Sequence, residues 1–485
     1  MLKARIKPHG GIHPDSHKEL TNQQEIRTLL PPWRLILALR QHAGAAAIPV
    51  VAVGDQVAAN QLLAKANGRF SMPIHAPLAA TVTAIEPGER GAITLRVAAE
   101  PFKSVSPPLH RDLSQLEREE LIALIADAGI VGMGGAMFPT ADKLRLSLAH
   151  PIDTLIINGS ECEPYLTCDD RLMQEQGVQI LGGIRYLLQI TGASRCFIGI
   201  EANKPEALAC MDLLCHDEPA VDVVSLPPLY PMGSEKQLIE AVTGLQVPSG
   251  KLSADVGVLV QNVATCIAVF HALRFGRPLT HRVLTVSGDA LEQPTNVYAP
   301  IGMPISEIVS QCGGLKATPA RIVLGGPMMG KAIDNIHAPV TKGTSGILLL
   351  TRDEVPRTKS SACVRCGRCV AACPMSLTPL ELVGALRQDQ LQQACDLGLT
   401  DCLLCGSCAY VCPAAIPLTE FFDWGKQSLQ RRRLQEQKSE RTRQQGEARR
   451  ERLQREAAEK EAAKAAKAAA APRRPRRQTT EEEAS

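Results

Sequence analysis

The chain has 485 residues, room for about three domains at roughly 150 residues each, which excludes a small disulfide-stapled scaffold. Its 45% hydrophobic and 21% charged residues are the balance of a soluble globular protein, and 37 Gly with 34 Pro, scattered without period, exclude collagen-like order. The formal charge of +3 divides unevenly: residues 426–485 hold 18 Lys and Arg against 10 Asp and Glu, leaving 35 against 40 in residues 1–425, so an acidic body carries a basic tail.

The N-terminus, MLKARIKPHGG, lacks the apolar stretch of a secretory signal. No run approaches the ~18 apolar residues of a membrane span. The reducing cytosol is the expected compartment, and any place at a membrane is reached through partners. Residues 44–87 alternate β-prone runs with turns: Val50 to Val53, the turn Gly54-Asp55, a run through Leu62 and Leu63, and Thr81 to Ile85 closed by Pro87-Gly88. This small all-β unit resembles the biotinyl or lipoyl hammerhead. No Lys occurs from Ala66 to Arg90 to serve as a carrier, so it is read as a structural sandwich.

From Ser114 the pattern changes. A helix with Leu116, Leu121, Leu124 and Ile125 on one face precedes a strand at Thr154–Ile157, a helix around residues 172–190, a strand at Cys196–Ile200, a helix near 205–214 and a strand at Val221–Val224. Strands alternating with helices predict an α/β domain. Residues 283–350 return to β-rich text, with strands at Val283–Val286 and Ile322–Leu324 around a short helix at Ile305–Cys312, and look like a β-grasp module of the soluble-ligand-binding type. The predicted fold is multidomain α/β plus β. Its parts are an N-terminal region 1–112 with the hammerhead-like sandwich at about 44–100, an α/β domain 113–275, a β-grasp module 276–352, a cysteine-rich α-helical domain 353–425 and a charged tail 426–485. The tail has good helix formers without an apolar stripe and ends in PRRPRR and EEEAS, which reads as a solvated helix or a disordered arm.

Sixteen cysteines include two runs of one pattern: Cys363, Cys366, Cys369 and Cys373-Pro374, then Cys402, Cys405, Cys408 and Cys412-Pro413. Three thiolates two residues apart wrap one iron–sulfur cube, and the fourth points to the other cube. The expected [4Fe–4S] ligands are therefore Cys363, Cys366, Cys369 and Cys412 for one cluster, and Cys373, Cys402, Cys405 and Cys408 for the second. Structural zinc is the alternative, although zinc modules separate their C-x2-C pairs more widely. Cys162, Cys168, Cys196, Cys210, Cys215, Cys266, Cys312 and Cys395 show no framework spacing and read as inert buried thiols.

Gly129 to Thr140 form a glycine-rich loop between two helices. Its backbone can approach a flat ring or a phosphate closely, or it can be a structural turn; it is not the G-x-G-x-x-G fingerprint. Asn158-Gly159-Ser160-Glu161-Cys162-Glu163-Pro164-Tyr165 follow a predicted strand end, where open α/β sheets bind ligands.

The segments GMGGAMFPTADKL, NGSECEPYLTCDDRLM, IGIEANKPEAL, LPPLYPMGSEKQLI and GVLVQNVAT, followed by the β-grasp text and both cysteine motifs, resemble the C subunits of Rnf ion-translocating electron transport complexes from about Gly10 to Trp424. The middle portion is similar to the flavin- and NADH-binding subunit of respiratory complex I. The resemblance implies that Gly132, Gly134 and Lys143 contact non-covalent FMN, with Asn158, Glu161 and Asn262 around it. It also implies that Gly135, Phe138, Glu163 and Glu201 face the nicotinamide nucleotide. Met133 stands where the complex I loop has arginine, and Met137 where glycine is usual before Phe-Pro-Thr.

The implied activity is that of a translocase subunit. NAD(H), as substrate, exchanges hydride with FMN, and two [4Fe–4S] clusters carry single electrons, with no side chain needed as general acid or base. The implied partners are integral membrane subunits and, indirectly, a ferredoxin or flavodoxin, with the chain peripheral on the cytoplasmic side of a bacterial inner membrane. Two alternatives stand beside it: a pure iron–sulfur relay and docking subunit, motivated by Met133 and Met137, and the diaphorase component of a soluble NADH dehydrogenase or hydrogenase. No nucleic acid is expected, because aromatic content is 3% and the basic tail has no stacking residues.

Overall fold

The computed structural model describes residues 1–6, 8–102, 113, 115–355 and 359–470, so PRRPRR and EEEAS lie outside the described residues. The chain divides into two compact units, Met1–Phe422 and Asp423–Ser485. The second is helical by itself: one helix runs Leu418–Ala469, and residues 430–467 are exposed on every side. Of the two expectations for the tail, the solvated helix is the one observed, with ion pairs one turn apart such as Arg443–Glu440 at 3.0 Å.

In the first unit the sandwich stacks a sheet of Arg34–Ala38, Ala92–Val97, Ala80–Glu86 and Gln56–Val57 near one of Ile48–Pro49, Leu62–Lys65 and Ile74–His75. Leu35, Leu37, Leu63, Ile93 and Leu95 fill its core. Residues Val50–Val53 are not a strand. The last bond across the sheet is Val50 N to Leu63 O at 2.9 Å, and beyond it the Ala52 amide donates to the Asp55 carboxylate at 2.8 Å, a local side-chain bond that competes with the ladder.

The α/β domain is a parallel five-stranded sheet: β1 (Leu2–Lys3), β2 (Thr154–Gly159), β3 (Arg195–Glu201), β4 (Val221–Leu226) and β5 (Val258–Asn262), in the order β1-β4-β3-β2-β5. Around it lie α1 (Arg118–Asp127), α2 (Thr140–Ala149), α3 (Cys168–Glu175), α4 (Gly177–Thr191), α5 (Pro205–Leu214), α6 (Glu235–Thr243) and α7 (Val263–Phe275). Strands β2, β3 and β5 are buried nearly throughout, as their unbroken apolar text requires. The single helix expected around 172–190 is two helices. The break falls at Gln176, with φ −127°, and α4 starts at Gly177, where a Cβ would come within 2.4 Å of Leu214. The strand expected to end at Ile157 continues two residues, to Gly159.

The residues before the sandwich, grouped with it on sequence, pair elsewhere. Leu2–Lys3 extends the α/β sheet, and Arg27–Thr28 adds to the edge of the six-stranded β-grasp sheet. That sheet runs Lys331–Ile333, Arg321–Leu324, Gly346–Leu350, His281–Ser287, Thr295–Pro300 and Arg27–Thr28, with helix Ile305–Gln311 in its connection. Lys342, buried at 1% exposure, joins three parts of the fold: its ammonium group donates to Pro73 O at 2.8 Å and to Gly129 O at 2.7 Å.

Burial lowers the Lys342 pKa from 10.5 to about 7. Between those values the unfolded chain holds a proton that the folded chain lacks, so this group makes stability rise with pH across that window. The unfolding free energy of the wild type minus that of Lys342→Met is therefore expected to grow from pH 7 to pH 10, with a slope of at most about 1.4 kcal/mol per pH unit. Denaturant midpoints at several pH values check this; a pH-independent difference contradicts it.

Candidate redox site

The chain leaves β2 towards β3 and β4 on one side, while β5 lies on the other, so the crevice between β2 and β5 is the switch point where open α/β sheets take ligands. Asn158 and Asn262 are partners in register at the carboxyl ends of these two strands. Asn262 also caps α7, its Oδ1 accepting from Ala264 N at 2.9 Å, a bond worth about 1 kcal/mol. Its Nδ2 donates to Asp169 Oδ2 at 2.6 Å. Asn158 Nδ2 donates to Gly233 O at 2.8 Å, and its Oδ1 accepts from Ser160 N at 3.1 Å.

The glycine-rich loop closes on itself, with Gly132 N donating to Phe138 O at 2.8 Å and Thr140 N to Ile130 O at 3.1 Å, just before α2 begins. Its tip lies over Asn262: a Cβ built on Gly134 would sit 3.5 Å from Asn262 Cβ. Gly135, at φ 107°, has nothing within 4 Å of that position. Phe138 packs its ring 5.2 Å from Phe70 of the sandwich, and Lys143 on α2 pairs with Glu235 on α6 at 2.8 Å. Met137 has a left-handed φ of 50°, which accounts for glycine in the related loops. Its side chain lies against Gly343, while Met133 is buried and its amide donates to Thr265 Oγ1.

The loop after β2 is held from below by two buried lysines that the sequence did not single out. Lys18 Nζ donates to the carbonyls of Glu161, Glu163 and Leu166, and Lys204 Nζ donates to Ser160 O at 2.6 Å and pairs with Glu201 at 3.3 Å. Burial, and then the neighbouring Lys204 charge, lowers the Lys18 pKa. Glu161 caps α3, its carboxylate accepting from Asp169 N at 2.7 Å and Asp170 N at 3.2 Å. Glu163 accepts from the amides of Met328 and Met329 in the β-grasp segment, and burial raises its pKa to about 7. Burial also raises that of Glu201.

These residues fit a flat polar cofactor. A Cβ on Gly134 would meet Asn262 first, at 3.5 Å, ordinary contact distance. Thr140 Oγ1 at the start of α2, Ser160 Oγ just after β2, Glu201 Oε1 at the end of β3 and Gln261 Nε2 near the end of β5 are buried without a hydrogen-bond partner. Buried polar groups left without partners inside protein are costly, and a polar ligand relieves that cost.

The two cysteine runs repeat one backbone at an offset of 39 residues. Arg365 and Leu404 are left-handed, Gly367 and Gly406 start the short helices Arg368–Ala371 and Ser407–Tyr410, and Ser376 and Ala415 are left-handed after each Cys-Pro. Backbone amides donate to sulfur at Cys363 (from Arg365, 3.3 Å), Cys373 (from Leu377, 3.4 Å) and Cys402 (from Leu404, 3.5 Å). The runs cross. After burial, the Cys408 thiol is pushed up by Cys405, Cys402 and Cys373, and the Cys369 thiol by Cys366 and Cys412.

Among the described residues no three cysteine sulfurs lie within 4.8 Å of one another. Cys373, Cys405 and Cys408 are buried, whereas Cys363 and Cys366 are exposed. Of the cysteines outside the runs, Cys168, Cys196, Cys215, Cys266 and Cys312 are buried, and Cys162, Cys210 and Cys395 are half-buried. Cys162 packs in a small core with Ile12, Tyr230, Ala372 and Cys405, and so links the loop after β2 to the second cysteine run.

Comparison with known families agrees with this layout. Residues 6–94 match the RnfC barrel sandwich hybrid domain, 125–271 the Nuo51 FMN-binding domain, 283–332 the SLBB domain and 362–416 the 4Fe-4S dicluster domain. The chain is 46% identical over 432 residues to the C subunit of the ion-translocating oxidoreductase complex of Rhodobacter capsulatus, covering 87% of this chain and 83% of that one. It is 42% identical to the C subunit of the proton-translocating ferredoxin:NAD(+) oxidoreductase complex of Clostridium ljungdahlii, covering 79% and 85%. To the C subunit of the Na(+)-translocating ferredoxin:NAD(+) oxidoreductase complex of Acetobacterium woodii it is 37% identical, covering 77% and 86%. The cofactors of the site are FMN and two [4Fe–4S] clusters.

Proposed function

The chain belongs to the family of C subunits of ion-translocating oxidoreductase complexes, and on that premise we propose that it moves electrons between NAD(H), an FMN in the β2–β5 crevice and its two clusters. The observation that carries this reading is the convergence of the Gly134 loop, Asn158 and Asn262 at the switch point, one short loop away from the buried cysteine set. When bound, the flavin accepts the two electrons of a hydride and passes them on singly, which nicotinamide cannot do.

The side chains orient and insulate. Gly132, Gly134 and Lys143 frame the FMN, with Asn158, Glu161 and Asn262 at its edge. Gly135, Phe138, Glu163 and Glu201 stand towards the nicotinamide nucleotide. Asn158, Glu161, Glu163 and Asn262 are already bonded within the protein, so their contribution is a rigid wall formed before the ligand arrives. Cys373, Cys402, Cys405 and Cys408 hold the inner cluster, and Cys363, Cys366, Cys369 and Cys412 the outer one, whose exposure suits it to exchange electrons with a partner subunit.

No helix among the described residues is long and apolar enough to cross a membrane. The ion path therefore belongs to integral partner subunits, with this chain peripheral on the cytoplasmic face where NADH is available. The related complexes are named for different ions, and this subunit does not choose between them. The relay-only reading rests on Met133 and Met137; the Met137 side chain lies against Gly343, and Met133 is buried.

Anaerobic reconstitution of the full chain tests the proposal. One FMN per chain, bleached by NADH, is the expected result. A chain that takes up iron but neither FMN nor NADH contradicts it.

A further inference from the structure

The inner cysteine set is tied to the α/β domain through its backbone carbonyls. Gly11 N donates to Ala372 O at 3.1 Å and Gln237 Nε2 to Pro374 O at 3.0 Å, on either side of Cys373, while Tyr230 Oη donates to Cys405 O at 2.7 Å. Residues 361–371, which carry three cysteines of the outer set, receive no such bond among the described residues.

Tyr230 is placed to connect the two redox sites. Its backbone is bonded in both directions to Ile12, with Ile12 N to Tyr230 O at 2.8 Å and Tyr230 N to Ile12 O at 3.0 Å, so the residue cannot shift without the N-terminal segment. Its ring is buried at 2% exposure and shares a core with Cys162, the neighbour of Glu161 and Glu163, and with Cys405. A buried tyrosine offers both a rigid apolar body and one directed donor. Here the body touches the loop after β2 and the donor holds the peptide of an inner-cluster cysteine.

We propose that Tyr230 is a positioning residue for electron transfer: through its bond to the Cys405 carbonyl it sets the separation of the inner cluster from the flavin crevice, with Gln237 performing the same task at Pro374. Tyr230 itself gains and loses neither electron nor proton. Electron transfer between fixed centres falls steeply with their separation, so a small displacement of the Cys405 peptide has a large kinetic effect. The inference rests on the electron-transfer reading above.

The test uses the full-length chain with FMN and clusters reconstituted anaerobically, as wild type, Tyr230→Phe and Gln237→Met. Tyr230→Phe keeps the ring and leaves the Cys405 carbonyl without its donor, a loss that lowers the ratio of docked to undocked states by up to about tenfold. Iron and FMN content are expected to stay at wild-type values, and dithionite to reduce both clusters. The paramagnetic resonance signal of the inner cluster is expected to broaden or shift in both variants while that of the outer cluster does not, and NADH is expected to reduce the inner cluster more slowly than in the wild type. An unaltered inner-cluster signal in both variants overturns the assignment. The dithionite spectra need no NADH, so failure of the wild type to accept electrons from NADH would count against the functional reading alone and leave the test of Tyr230 intact.

Discussion

Replacing Cys373 with alanine is expected to remove one whole cluster, taking iron from about eight to about four per chain, and the cluster lost is that of the second motif. The reason is the crossing: Cys373 lies electrostatically beside Cys405 and Cys408, whereas Cys412 lies beside Cys369. Double variants separate this from ligation within each motif. Cys373→Ala combined with Cys402→Ala removes two ligands of one cluster and keeps about four irons; Cys373→Ala combined with Cys363→Ala keeps none. The reverse pattern of iron content and resonance signals would show that the runs do not cross.

Filling the crevice is the second large effect. Gly134 carries no left-handed strain, and a Cβ there meets Asn262 at ordinary contact distance, so Gly134→Leu is compatible with the fold. The added side chain occupies the space between loop and strand ends. Overpacking of up to about 3 kcal/mol against the flavin corresponds to a loss of about 100-fold in FMN affinity. Flavin fluorescence titration of the reconstituted chain measures it, with unchanged iron content and thermal midpoint as controls. Retention of wild-type FMN affinity would place the flavin elsewhere.

How much of this was legible in the sequence depended on how local each cause is. The cysteine ligands are fixed by spacing within eleven residues, and the glycine loop with its following helix is likewise a local pattern. The parallel sheet followed from strands alternating with helices. The break before α4, at Gln176, was not legible in a segment that reads as one helix over 172–190. Lys18 acts on a carbonyl 143 residues away and Tyr230 on one 175 residues away, so no motif contains either pair. Lys204 sat inside a recognisable segment, but its role depends on a loop that only the fold brings beneath it. The allocation of Leu2–Lys3 and Arg27–Thr28 to two different sheets was hidden for the same reason: two-residue edge strands have no periodicity to read.

The effect of Met133 and Met137 was not legible on sequence, which put a bulky side chain at each position of a flavin loop. In the fold, Met137 stands in a left-handed turn and its side chain lies against Gly343, where a Cβ would come within 2.4 Å of it. Met133 is buried.

The most direct test of the account is an anaerobic NADH titration of the isolated full-length chain, reconstituted with FMN and iron–sulfur clusters and followed by low-temperature paramagnetic resonance. The account predicts that NADH alone draws out signals from both clusters in the wild type, and that Gly134→Leu, with the same iron content, shows neither until dithionite is added. Cluster signals that appear with NADH equally in the wild type and in the FMN-free variant would contradict it.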